Sequence, residues 1–175
     1  TKGPLLIKCC KLDNRFGKVY GCGVSVTTSG DVLIGAAISK GPFLYGVNGS
    51  YIASGDYLRI TSANEIKNQY GQLFSQKDQK LEAKTKIDNI AGEIMCGADI
   101  NIKTPSFTNT RDATYTQPVA NWTWAYSGCY NYCESSDQAC IRALGSIHFA
   151  VDTGLNLAST ILAQGTITYK DTKSK

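Results

Sequence analysis

Ser62-Ala-Asn-Glu-Ile-Lys-Asn-Gln-Tyr-Gly-Gln-Leu-Phe-Ser-Gln76 is the stretch on which the fold class turns. Ser62 and Glu65 match the Ser-x-x-Glu capping box, which satisfies the orphan amides of a helix start. Ile66, Tyr70, Leu73 and Phe74 follow at helical spacing and mark one apolar stripe. The spacing predicts a helix over about 63–76. Gly71 is a mild weakness in its interior.

Upstream the pattern has period two. Pro4–Leu12 is apolar, and Asp13-Asn14-Arg15-Phe16-Gly17 reads as a turn. Cys22, Val24 and Val26 alternate with small or polar neighbours, as do Val32, Ile34, Ala36 and Ile38 after a turn at Ser29-Gly30. Asn48-Gly49 is a hairpin signal, because a type I′ turn needs positive φ at both central residues. These runs predict an antiparallel meander.

Downstream, Leu81–Ile87 and Ile94–Ile102 read as strands. Ile87, Ile90, Ala91 and Ile94 also fit a helix, so residues 81–95 stay open between the two. Thr104–Pro118 is a polar loop. Trp122, Trp124 and Tyr126 alternate, and a short helix is expected over about 136–144, closed by Gly145. Ile147, Phe149 and Val151 alternate again, Leu155–Leu162 runs back, and Ile167–Tyr169 is a last strand. No internal repeat is visible. The class expected is α+β, β-dominant, as one disulfide-stabilised domain over 1–169 with a flexible basic tail at 170–175.

Charged residues are 18% of the chain, against about 25% in average soluble domains. Uncharged polar residues and tyrosines must therefore supply the surface. With seven cysteines, that composition points to an oxidising, extracellular or cell-surface setting. The chain begins at Thr1 with no methionine, as expected of a mature form with its targeting segment removed or of a trimmed chain. No apolar run approaches the roughly 18 residues that span a bilayer. The net charge of +4 is small and no concentrated basic stripe is visible, which argues against a nucleic-acid partner.

Cysteine chemistry sets the candidate sites. A hairpin at Asn14–Gly17 brings Cys10, or its neighbour Cys9, opposite Cys22, within disulfide reach. Cys129, Cys133 and Cys140 form a second group, and these six are the disulfide candidates. Cys96 is the expected free thiol, a small hydrophobe in the core. The cysteine spacings match no zinc knuckle, so no metal or cofactor is implied. His148 is the single histidine. A cysteine nucleophile needs such a base and an orienting third group; His148 and Asp152 with Cys22 or Cys140 can be written as a cysteine–histidine hydrolase, and Cys140, His148 and Asp152 are the set carried forward. Thr1, as an N-terminal nucleophile, has no second supporting residue.

Aromatic residues are concentrated once. Trp122, Trp124, Tyr126 and Tyr130 form a platform for a protein or carbohydrate partner if exposed, and a core layer if buried. Asn48 and Asn121 match the N-glycosylation acceptor. The expected function is therefore a secreted or surface-exposed, non-catalytic binding or adhesion module, or a subunit of an extracellular assembly capable of self-assembly.

Overall fold

The computed structural model describes residues 3–35, 50–111 and 139–171. Among these residues there is no helix, and every strand pair is parallel. The chain winds as a three-sided solenoid. Side one stacks β1 (Leu5–Cys9), β4 (Val24–Thr28), β7 (Leu58–Ser62), β10 (Gln79–Ala83), the first half of β13 (Ile100–Thr110), the first half of β15 (Ile147–Leu157) and β17 (Ile167–Lys170). Side two stacks β2 (Leu12–Arg15), β5 (Val32–Gly35), β8 (Glu65–Gln69), β11 (Lys86–Ile90) and the second halves of β13 and β15. Side three stacks β3 (Lys18–Gly21), β6 (Tyr51–Ser54), β9 (Gln72–Ser75), β12 (Glu93–Cys96), β14 (Cys140–Ala143) and β16 (Thr160–Ala163).

Each coil places its alternate side chains inward, so identical positions pile up along the axis. Val26, Ile60, Leu81, Ile102 and Phe149 form one such column and are at most 1% exposed. Each buried Leu or Ile contributes about 1.5–3 kcal/mol by leaving water. The rings of Phe149 and Tyr169 stack at 4.7 Å and continue this column toward the C-terminal end.

Three polar columns sit at the corners, where backbone groups leave the sheet ladder and need other partners. At the corner between sides one and two, the hydroxyls of Thr28 and Ser62 both donate to the Gly30 carbonyl at 2.7 Å. At the corner between sides three and one, the Ser54 hydroxyl accepts from the Asp56 amide at 3.2 Å and the Ser75 hydroxyl donates to the Lys77 carbonyl at 3.0 Å. Cys96 takes the next place in that column, its Sγ accepting from the Ala98 amide at 3.2 Å.

The corner between sides two and three carries an asparagine ladder. Asn68 donates to Asn89 at 2.8 Å, Asn89 to Asn109 at 2.8 Å, and Asn109 to Asn156 at 2.7 Å. The same asparagines hold the turn beside them. Asn89 Nδ2 donates to the Gly92 carbonyl at 3.0 Å. A Cβ at Gly92 would lie 2.4 Å from Asn68 Nδ2 and 2.6 Å from Asn89 Oδ1, so only glycine fits there. The tight turns at this corner pass through Phe16, Tyr70, Ala91 and Ala158, all at positive φ between 48° and 62°. The ladder has one missing rung. Coil two places Ile34 where Asn68 expects a donor, and Asn68 Oδ1 is buried with no partner.

The expected α+β meander is therefore corrected. Residues 63–76 are not a helix. They are the strands β8 and β9 joined by the Gln69–Gln72 corner. The Ser62 capping chemistry is real but serves a corner, where Ser62 Oγ accepts from the Asn64 amide at 3.1 Å. The expected helix over 136–144 contains the strand β14, and its residues 136–138 lie outside the described residues. Residues 81–95 hold strands β10, β11 and β12, and β13 carries strand structure through the expected loop as far as Thr110. The Asn14–Gly17 turn is a coil corner and not a hairpin; β1 pairs in parallel with β4 and β2 with β5. Asn48-Gly49 lies outside the described residues. An internal repeat is present after all: Leu58, Gln79 and Ile100 are successive register partners, 21 residues apart.

Candidate binding surfaces

Two coils are interrupted, and both at the same corner. In coil four, Ile90-Ala91-Gly92-Glu93 turns directly from side two to side three. Register places Thr110 beside Ile90 and Cys140 beside Glu93. Arg111 and Ala139 thus occupy the places of Ala91 and Gly92, and residues 112–138 are inserted between them. Coil two does the same. Gly35 pairs with Gln69 and Tyr51 with Gln72, so residues 36–50 span what Tyr70 and Gly71 span in coil three. The Gly35 amide donates to Ser50 Oγ at 2.5 Å, which closes the coil around the first insertion. Gly35 itself has φ +127°, and a Cβ there would collide with the Gln69 carbonyl. Both inserted segments therefore leave and rejoin the solenoid at the Asn corner, opposite side one.

The aromatic candidates Trp122, Trp124, Tyr126 and Tyr130 belong to the second inserted segment and lie outside the described residues. Cys129, Cys133 and Asn121 belong to the same segment and Asn48 to the first, and these too lie outside the described residues.

The described cysteines are all free thiols: Cys9, Cys10, Cys22, Cys96 and Cys140. The Cys9 or Cys10 link to Cys22 loses its basis with the hairpin, because parallel coils carry these residues to different places on the solenoid. Cys9 ends β1 at the first corner, while Cys22 follows β3 at the third. Cys96 is 4% exposed, and burial pushes its thiol up from the ordinary value.

The hydrolase set is spread out. Cys140 points outward from side three, whereas His148 points outward from side one. His148 Nδ1 meets Thr168 Oγ1 at 2.8 Å across neighbouring strands. Asp152 lies four residues farther along β15, past the corner-flanking Val151. Among the described residues no group of His, Cys, Asp or Glu is arranged to hold a metal. No helix among them is long and apolar enough to cross a membrane.

A second surface is invisible in the linear sequence. The strands of side one carry Lys8, Arg59, Lys80, Lys103 and Lys170 against the single carboxylate Glu82. All six point outward, alternating with the buried core positions. Side two balances Arg15, Lys67 and Lys86 with Asp13, Glu65 and Asp88. Side three has Lys18, Arg142 and Glu93. The basic stripe that seemed absent is assembled by coil spacing from residues far apart in sequence. The one signal able to reveal it is the 21-residue period. No protein-family model, curated protein or solved structure matches this chain.

Proposed function

We propose that this chain is a non-catalytic binding module, secreted or surface-exposed, in which a rigid solenoid presents two inserted segments to a partner. The observation that carries the reading is their common origin. Both insertions open at the Asn corner, on coils two and five, about 14 Å apart along the axis at the spacing of stacked strands. In repeat proteins, insertions gathered on one side commonly mark the binding side. The second insertion also holds Trp122, Trp124, Tyr126 and Tyr130, residue types that supply binding area at low entropic cost.

The test removes the segment without touching the coil. A chain lacking residues 112–138, with Ala139→Gly, recreates the Ala91-Gly92 turn of coil four. It is expected to keep its far-ultraviolet circular dichroism and its unfolding transition. On a glycan array, the intact chain is expected to bind at least one glycan class, and both the shortened chain and Trp124→Ala to lose it. Binding unchanged by the deletion removes the reading, as does a shortened chain that no longer folds.

A further inference from the structure

We propose that side one is a docking surface for an acidic polysaccharide lying along the solenoid axis. Two outward lanes run the length of this side, across seven stacked strands and about 29 Å. Register places Arg59 next to Lys80 in one lane. In the other, Glu82 stands beside Lys103, and Lys8 and Lys170 occupy the ends.

The strip holds more cations than its one carboxylate can pair, Glu82 lying 3.2 Å from Lys80 and 3.9 Å from Lys103. Arg59 and Lys80 project side by side from neighbouring strands about 4.8 Å apart, and like charges placed so repel. Arg59 is held over the Tyr57 ring at 4.9 Å, not by a carboxylate. Among the described residues, Lys8 and Lys170 have no carboxylate partner either. By contrast, Lys86 on side two sits between Glu65 and Asp88 at 3.1 and 2.8 Å. Local rules are broken most often where a ligand is expected.

The remaining lane positions select the class of polyanion. They include Ser25, Thr27, Thr61 and Asn101, short donors and acceptors suited to a hydroxyl-rich polymer. His148, beside Asn101, is the single ring in the two lanes and is tied to Thr168 Oγ1 at 2.8 Å; no Phe, Tyr or Trp stands there to give successive bases the stacking platform that single-stranded nucleic acids use. A depression of about 290 Å³ opens beside Arg59, Lys80 and Asn101, near the lower end of ligand-pocket volumes. Its acidic wall is Asp78 and Asp56, the latter neutralised by Lys77 at 2.7 Å.

Dextran sulfate is the probe, immobilised beside neutral dextran and oligothymidine. The full chain is expected to bind dextran sulfate in a salt-dependent way and neutral dextran not at all. Arg59→Ala and Lys80→Ala should each weaken binding about fivefold, the loss of roughly one surface charge against a polyanion. Lys67→Ala removes the same charge from side two and should change it less than about twofold. The chain lacking residues 112–138 should bind dextran sulfate unchanged, which separates this surface from the inserted segments. The proposal falls if dextran sulfate is not retained, if Lys67→Ala weakens binding as much as Arg59→Ala, or if oligothymidine binds more tightly.

Discussion

Gln79→Leu is expected to stabilise the protein. Gln79 occupies an inward position of side one, between Leu58 and Ile100 in adjacent coils. Its side chain is 0% exposed, and neither its Nε2 nor its Oε1 has a hydrogen-bond partner. A buried amide without partners loses about 1–3 kcal/mol relative to its hydrated state. Leucine is of similar size and continues the column above and below it. Swaps that conserve volume disturb packing by less than about 1.5 kcal/mol. The net expectation is a gain of up to about 3 kcal/mol. In a chain of this length each kcal/mol gained raises the thermal midpoint by about 2–4 °C. The assay is urea unfolding followed by circular dichroism, with the slope required to stay constant so that a midpoint shift reports stability. A loss of more than about 1 kcal/mol would refute the reasoning, because it means that the amide is satisfied inside the solenoid, as by a bound water.

Two further outcomes test the corner columns. Asn89→Ala removes a donor to Gly92 and Asn109 and an acceptor for Asn68. A loss of about 3–5 kcal/mol is expected by urea unfolding, and one below about 1 kcal/mol would show that the ladder contributes little. Cys96→Ser keeps a hydroxyl in the serine column and removes a thiol that burial holds protonated. In the parent chain the native state keeps that proton after the unfolded state has lost it. Stability is therefore full below the ordinary thiol value of 9.0 and falls as pH rises above it. The urea midpoint of Cys96→Ser should fall less between pH about 8 and about 10 than that of the parent. Equal slopes would count against this account of Cys96.

The alternation of buried residues was legible wherever a strand stood alone. Val24 and Val26, Val32 and Ile34, and Ile147, Phe149 and Val151 read as strands and are strands. Their partners were not legible. Alternation fixes which side chains face inward and says nothing of parallel or antiparallel pairing. The helical reading of 63–76 failed for a related reason. Ile66 and Leu73 are seven residues apart, as two helical turns require, yet they lie on different sides of the coil. Ser62 deepened the confusion, because a side chain capping a corner amide has the same local chemistry as a helix cap. The repeat was hidden by the insertions. Register partners Val24 and Leu58 are 34 residues apart, and Ile100 and Ile147 are 47 apart, against 19 to 21 in the uninterrupted coils. With the period concealed, the cations of side one looked scattered. Cys96 was readable as a buried thiol from its apolar surroundings, whereas pairing of Cys10 with Cys22 rested on a hairpin that the corner replaces.

The missing rung at Ile34 divides the rod mechanically. In a stack of coils each layer is held only by the layers beside it, so resistance to fracture is set by the weakest junction. Between coils three and six every junction at this corner is fastened by an amide-to-amide bond. Between coils two and three that fastening is absent, and an unmatched carbonyl oxygen faces an isoleucine methyl surface instead. Coil one is tied to coil two at this corner by the Asn14 amide, which donates to the Tyr51 carbonyl at 3.1 Å, so under tension along the axis the first two coils should peel away as a unit while the later coils hold. The first inserted segment would leave with the detached piece and the second would stay with the core.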